Sequence, residues 1–339
     1  MTSIRRSVLG SEAAGFVPGD AQEDTALFPR RQIYGGVPPA AKMTSPALAR
    51  SQRQKLNIVA ACQCLLLPWV LFCLLFAVQS FHIHYRQPEL CHLCVVAGLL
   101  CVILTGMLAV RAVMQKVNDD PTGRPNWWMF LFLTTLAAFV LAVMLGDLNY
   151  NTNMKPYYDY SNLNDHSGVN PSTMRGQQLM DAGRVLFTNN ATLDLRRSMG
   201  FVNLDTYCVA PISVRSEAAG ELIPLYSYDF WAVGLDCCSG SAADFHCGEF
   251  NNPNAHSGLR LLHDEQRAFF RLAVQQAEAA YGIRATHPLF FHWAQDAGAE
   301  MDTFHDEGIK YYMIGMILHF GWQLLCVGLA AVAFSKMNR

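Results

Sequence analysis

The chain has 339 residues, 52% of them hydrophobic and only 15% charged, with a formal net charge of −2 and a mean hydropathy of +0.15. Soluble domains carry about 25% charged residues, so the deficit implies long uncharged runs and excludes an ordinary soluble protein. The near-neutral charge excludes a nucleic-acid partner held by phosphate neutralisation.

Residues 1–55 carry Arg5, Arg6, Arg30, Arg31, Lys42, Arg50, Arg53 and Lys55 with scattered Gly and Pro and no periodicity. They read as a disordered cytoplasmic tail. No apolar core follows the early arginines, so the segment is not a signal peptide. The first apolar run is expected to serve as an uncleaved anchor.

That run covers 56–81, is uncharged after Lys55 and contains Pro68. It is longer than the roughly 20 residues a bilayer core requires. A short connector leads to the second run, 91–113. A turn-rich connector containing DDPTGRP leads to the third, 127–148, which opens on a Trp pair as interfacial aromatic belts do. The fourth run is 311–334. The expected fold class is an α-helical membrane protein with four transmembrane helices and a mixed α/β, disulfide-stabilised exoplasmic domain between helices 3 and 4. The domains are the tail (1–55), helices 1–3 (56–148), the exoplasmic domain (149–309), and helix 4 with a short cytoplasmic end (310–339).

Basic residues near the span ends set the orientation. Lys42, Arg50, Arg53, Lys55, Arg111, Lys116, Arg124, Lys336 and Arg339 fall on one side, against Arg86, Lys155 and Lys310 on the other. Both termini are therefore expected in the cytoplasm, in a membrane of the secretory route or at the plasma membrane. Asn190-Ala191-Thr192, a glycosylation sequon, falls on the outer side.

Within the outer region, 149–171 is rich in Asn, Asp and Tyr and reads as an irregular approach segment. Strands are expected over 184–187, 206–214 and 222–235. A helix capped by Asp264 and ended by Gly282 is expected to bury Phe269, Phe270, Leu272, Ala273, Ala277 and Ala280. No pattern emerges over 286–307. His287, His292 and His305, among Asp296, Asp302, Asp306 and Glu307, match no ligand spacing and read as solvated loop residues.

The cysteines form two populations. Cys62, Cys64, Cys73, Cys91, Cys94, Cys101 and Cys326 fall in or beside apolar runs, and Cys208, Cys237, Cys238 and Cys247 fall in the outer region. Four cysteines on an oxidising side read as two disulfides, with three pairings open. Adjacent cysteines seldom bond each other, which favours sending one of Cys237 and Cys238 to Cys208 and the other to Cys247. A zinc site of Cys237, Cys238, His246 and Cys247 is the alternative, although it lacks the CxxC pairs of structural zinc sites.

The layout of four spans and a large second outer loop containing Asp236-Cys237-Cys238-Ser239-Gly240 resembles the tetraspanins. That family's Cys-Cys-Gly signature here carries an extra Ser before the Gly. The resemblance implies a membrane organiser that binds partner proteins laterally and has no catalytic residues.

Cys91-His92-Leu93-Cys94, a CxxC at the mouth of the second span, permits dithiol–disulfide interchange. This topology resembles that of DsbB-type quinone-coupled disulfide oxidases, which would imply a bound quinone and an exchanging pair drawn from the four loop cysteines. The chain lacks that family's basic residue shortly after the CxxC. The same residues also read as packing, because Cys91, Cys94, Gly98, Cys101 and Thr105 recur at helical spacing as a small-residue stripe. In the fourth span, His319 and Gln323 lie four apart on one face and read as hydrogen-bonding glue between helices, with a proton route as the alternative.

The expected function is membrane organisation, adhesion or partner recognition through the exoplasmic domain, without a cofactor. Its partners would be the lipid bilayer and other membrane or exoplasmic proteins, and a homo-oligomer is compatible with the layout. A thiol–disulfide oxidoreductase using Cys91 and Cys94 is the alternative.

Overall fold

A computed structural model describes residues 46–118, 125–216, 218–240 and 242–337. Most of the N-terminal tail and nearly all of the DDPTGRP connector lie outside the described residues. In chain order the elements are α1 (Pro46–Ser80), α2 (His82–Arg86), α3 (Pro88–Val117), α4 (Pro125–Asn149), a π-helical turn (Tyr150–Met154) and α5 (Lys155–Ser161). The sheet region follows: β1 (Asn164–Val169), β2 (Ala182–Phe187), β3 (Ala191–Leu193), β4 (Met199–Asn203), β5 (Asp205–Val214), β6 (Phe230–Leu235), β7 (Ser257–Arg260), α6 (Asp264–Tyr281), β8 (Leu289–Ala294) and finally α7 (Ala297–Met337).

Among the described residues, four helical stretches are long and apolar enough to cross a membrane: Ile58–Ser80, Pro88–Val117, Asn126–Ser161 and Ala297–Phe334. Their outward side chains, Leu74, Leu93, Met144 and Leu318 among them, are well exposed. In water such a surface would aggregate, whereas lipid solvates it. The bundle interior is built on close approach. A Cβ at Gly146 of α4 would lie 2.5 Å from Gln79 Cβ on α1, so these backbones meet where a side chain would hold them apart. Phe72, Leu75, Phe76, Ala138 and Ala142 fill the space alongside.

Three helix boundaries differ from the sequence reading. α1 begins at Pro46, inside the segment read as tail, because Ala47, Leu48, Ala49 and the following Arg, Gln and Lys residues propagate a helix well and Pro suits the first position. The stretch after α4 is not irregular, since helix runs on through the π turn to Ser161. Asn149 Nδ2 donates to Gly308 O of α7 (3.1 Å) and Asn153 Nδ2 donates to Asn149 Oδ1 (2.9 Å), which satisfies both buried amides at the turn. α7 begins well before the fourth apolar run because Asp296 caps it, accepting from the Gly298 and Ala299 N–H groups at 2.8 and 3.1 Å.

The strands form one mixed sheet in the order β1-β2-β7-β8-β6-β5-β3, with β4 also pairing to β5. β1–β2 and β6–β8 are parallel and the other pairs antiparallel. Side chains alternate between two buried faces. Tyr207, Val209, Trp231, Val233 and Phe290 face α6, through its Phe270, Ala273, Val274 and Ala277. Cys208, Ala210, Ile212, Phe230, Ala232, Phe291 and Trp293 face the opposite core, which also contains Phe245 and Cys247 from the long β6–β7 connection. Burial on both faces hides the period of two, and for this reason LFFHWA in β8 reads as patternless.

Two local expectations are corrected. The strand expected over 222–235 begins only at Phe230. Pro224 cannot donate to a ladder, and Leu222 makes only an isolated bridge to Arg215. In α6, His263 is the N-cap, and Asp264 stands in the first turn paired to Arg267 at 2.6 Å. Leu272 and Ala280 are exposed, and Val274 takes the buried position instead.

α2 and the sheet region lie at the same end of the bundle. Tyr85 Oη donates to Asp159 Oδ1 (2.9 Å), and Asn162 Nδ2 donates to Tyr85 Oη (2.5 Å). His84 stacks on Tyr150 with ring centroids 3.9 Å apart.

Candidate functional site

The cysteine-rich connection after β6 carries the most constrained geometry in the sheet region. Cys208 points from β5 into the core opposite α6. Cys237 and Cys238 follow directly on β6, and neighbouring side chains diverge, so each finds a different partner. Cys208 stands at disulfide distance from Cys238 and Cys237 from Cys247, with Cα separations of 5.8 and 5.2 Å. Gly234 makes room for this, since a Cβ there would lie 2.7 Å from both Cys237 Sγ and Cys247 Sγ. The sulfurs of Cys208, Cys237 and Cys247 lie within 4.8 Å of one another. Once bonded in these pairs the sulfurs would have no thiolate to give zinc, and His246 Nδ1 faces the backbone carbonyl of Asp244 at 2.9 Å.

The bridged layer supports the β4–β5 hairpin, whose tip is Leu204. Asp236 ties down β5 just past the tip: the Thr206 N–H donates to Asp236 Oδ1 and the Asp236 N–H to Thr206 O, both at 2.8 Å. A Cβ at Gly200 of β4 would lie 2.8 Å from Cys238 Sγ, so the hairpin rests on the bridge itself. Leu204 has a φ of +64° and is fully exposed, with Val202 exposed beside it. A left-handed backbone costs a branched side chain about 1–2 kcal/mol, and burial of Leu204 contributes nothing in return. In strand order the hairpin lies toward the β5 edge of the sheet, away from β2 and β7, which pack against α7. The sequence reading missed Leu204. Its only trace is an apolar residue between Asn203 and Asp205, where a turn would ordinarily take Gly or Asn.

Asn190 occupies the turn between β2 and β3, where it is half-buried and its carbonyl accepts the Arg215 N–H at 2.8 Å.

Cys91 is buried and its Sγ donates to Gln79 Oε1 on α1 at 2.8 Å. The buried line along α3 is Cys91, Gly98, Val102, Thr105, Ala109 and Ala112. Cys94 is only half-buried and Cys101 is exposed, so neither belongs to the packed stripe expected of them. The double change Cys91→Ala/Cys94→Ala is expected to leave folding and membrane delivery intact at a cost of about 1 kcal/mol, the value of one hydrogen bond. Quantitative surface labelling checks this, and a loss of delivery would contradict it.

Within the bundle, His319 and Gln323 are both buried. Gln323 Nε2 donates to Cys64 O on α1 at 2.6 Å. His319 stacks flat on Phe72, with centroids 4.1 Å apart, and its Nδ1 is buried without a hydrogen-bond partner among the described residues. Of the histidines read as solvated loop residues, His287 is exposed in the loop before β8 as expected, whereas His292 and His305 lie in regular elements. His292 is half-buried on β8, where burial and then the neighbouring His263 push its pKa down. His305 lies on α7 against the ring of Tyr157.

No protein-family model matches the chain, no curated protein matches it in sequence, and no solved structure matches it in fold.

Proposed function

We propose that this chain is a multi-pass membrane protein that recognises a partner protein through its outer sheet domain, with the β4–β5 hairpin as the contact. The observation that carries the reading is Leu204: an exposed leucine in a left-handed conformation, held at the tip of a hairpin that rests on the Cys208–Cys238 bridge. Backbone strain that the surrounding structure maintains clusters at functional positions, and an apolar side chain gains by desolvation when a partner covers it. The excess of basic residues beside the opposite span ends supports cytoplasmic termini and an outward-facing sheet, with Asn190 as a glycan acceptor. The tetraspanin-like layout supports lateral association in the membrane.

The test is photo-crosslinking in cells from a probe residue at position 202, with the exposed α6 position 276 as control. A discrete protein adduct is expected at 202, absent from 276 and lost on Leu204→Gly. Glycine adopts the left-handed backbone without steric cost and, unlike asparagine before Asp205-Thr206, creates no glycosylation sequon, so the same change is expected to leave the outer domain about as stable as before. Identical adducts from both positions, or an adduct indifferent to Leu204→Gly, would remove the hairpin from the contact.

A further inference from the structure

A second feature of the outer domain is a cleft of about 470 Å³ where the C-terminal end of β7 and the N-terminal end of β8 meet the first turns of α6. Three guanidinium groups line it, from Arg260, Arg267 and Arg271. They are incompletely paired. Arg267 is bonded to Asp264 at 2.6 Å. Among the described residues Arg260 donates only to Leu179 O, at 3.5 Å, and it lies over the ring of Phe291. Arg271 Nη1 is buried with no hydrogen-bond partner among the described residues. Burial, and after it the charge of Arg267, pulls the Arg260 pKa down. Asp181, the other carboxylate near Arg260, is already held by Asn164 Nδ2 at 2.5 Å and His166 Nε2 at 3.3 Å.

The facing wall is fixed in place. Asp229 accepts from Ser227 Oγ and from the N–H groups of Gly176, Thr286 and His287 at 2.7–3.1 Å. Burial raises the Asp229 pKa, but these hydrogen bonds outweigh it and hold the carboxyl below its ordinary value. The segment entering β8 is thus tethered, and Thr286 and His287 are presented to the cleft along with the apolar Met180 and Phe290. The N-terminus of an 18-residue helix adds its positive dipole end.

We propose that this cleft binds a phosphate or sulfate monoester, its tetrahedral oxyanion held by Arg260, Arg267 and Arg271 and its organic part against Met180 and Phe290. Converging guanidiniums with unfilled donors match such an oxyanion, and the volume exceeds what an inorganic ion fills and falls in the range of small-ligand sites. The inference goes beyond the hairpin reading and does not depend on it. The ester can be a lipid headgroup or a soluble molecule, and the experiment separates the two sources.

Full-length protein in phosphatidylcholine nanodiscs is titrated with phenyl phosphate, phenyl sulfate and benzoate, and thermal unfolding is compared in discs with and without phosphatidic acid. Saturable binding of phenyl phosphate or phenyl sulfate, weakened about 10- to 100-fold in R271Q and in R260Q, is the expected result and assigns a soluble ester. Stabilisation seen only with phosphatidic acid, and lost in the same variants, assigns a lipid headgroup. The unliganded variants are expected to unfold near or above the wild-type temperature, because R260Q removes a charge that Arg267 opposes and R271Q removes a buried donor without a partner among the described residues. Benzoate binding as tightly as the esters, absence of binding in every arm, or retention of binding in both variants would overturn the proposal.

Discussion

Replacing Gln323 with leucine is expected to destabilise the helix bundle by about 1–2 kcal/mol, and removing Pro68 in the same chain is expected to restore most of that loss. Proline has no N–H, so the carbonyl four residues before it, that of Cys64, loses its helical donor. In hydrocarbon no water replaces that donor. Gln323 Nε2 supplies one from α7 at 2.6 Å, and Gln323 itself is only 2% exposed. Hydrogen bonds between membrane helices are ordinarily worth about 0.6 kcal/mol. The upper part of the range applies here because the acceptor has no intrahelical alternative. Pro68→Ala returns an N–H to Cys64 O, after which Gln323 has no orphan to satisfy and Gln323→Leu becomes nearly neutral. A double-mutant cycle read by unfolding in mixed micelles measures the coupling. Strictly additive effects would show that Gln323 serves something other than the proline break.

This pair also shows how far the sequence can be read. Pro68 inside a span and a Gln inside another are each visible in the chain. Nothing local says that α1 and α7 meet at that depth, because pairing between distant helices is a tertiary fact. The four apolar stretches were legible for the opposite reason: length and the absence of charge are local properties with a large energetic consequence. The strands over 206–214 and the helix ended by Gly282 were equally legible, since β-branched and aromatic runs and a left-handed glycine are local signals. Where two buried faces erased alternation, as in β8, or where partners lay far off in sequence, as at the π turn that Gly308 helps to satisfy, the local signal vanished. The cleft arginines illustrate the same limit. Arg267 and Arg271 sit one helical turn apart and look like a solvated face, until Arg260 arrives from β7 and the end of β8 closes over them.

Removing the Cys208–Cys238 bridge as Cys208→Ala/Cys238→Ala is expected to cost the sheet domain about 3.6 kcal/mol, against about 2.7 kcal/mol for Cys237→Ala/Cys247→Ala. The difference arises from the chain each bridge closes, with sequence separations of 30 and 10 residues, since loop entropy rises with the logarithm of length. The consequences should also differ in place. Loss of the first bridge releases β4, which rests against Cys238 at Gly200, and hydrogen exchange should quicken over the hairpin that carries Leu204. Loss of the second frees the connection beyond Cys238 and leaves the hairpin protected. Both cysteines of a pair must be removed together. A lone thiol at Cys208 would stand within 4.8 Å of the Cys237 and Cys247 sulfurs, close enough for exchange to scramble the remaining bridge. Chemical denaturation of each paired variant tests the order, and a larger loss from the shorter loop would show that packing around Gly234, rather than chain entropy, sets the stability of this layer. If the hairpin is the contact surface, partner crosslinking from position 202 should fall with the first bridge and persist without the second, because only the first holds Leu204 in the conformation a partner meets.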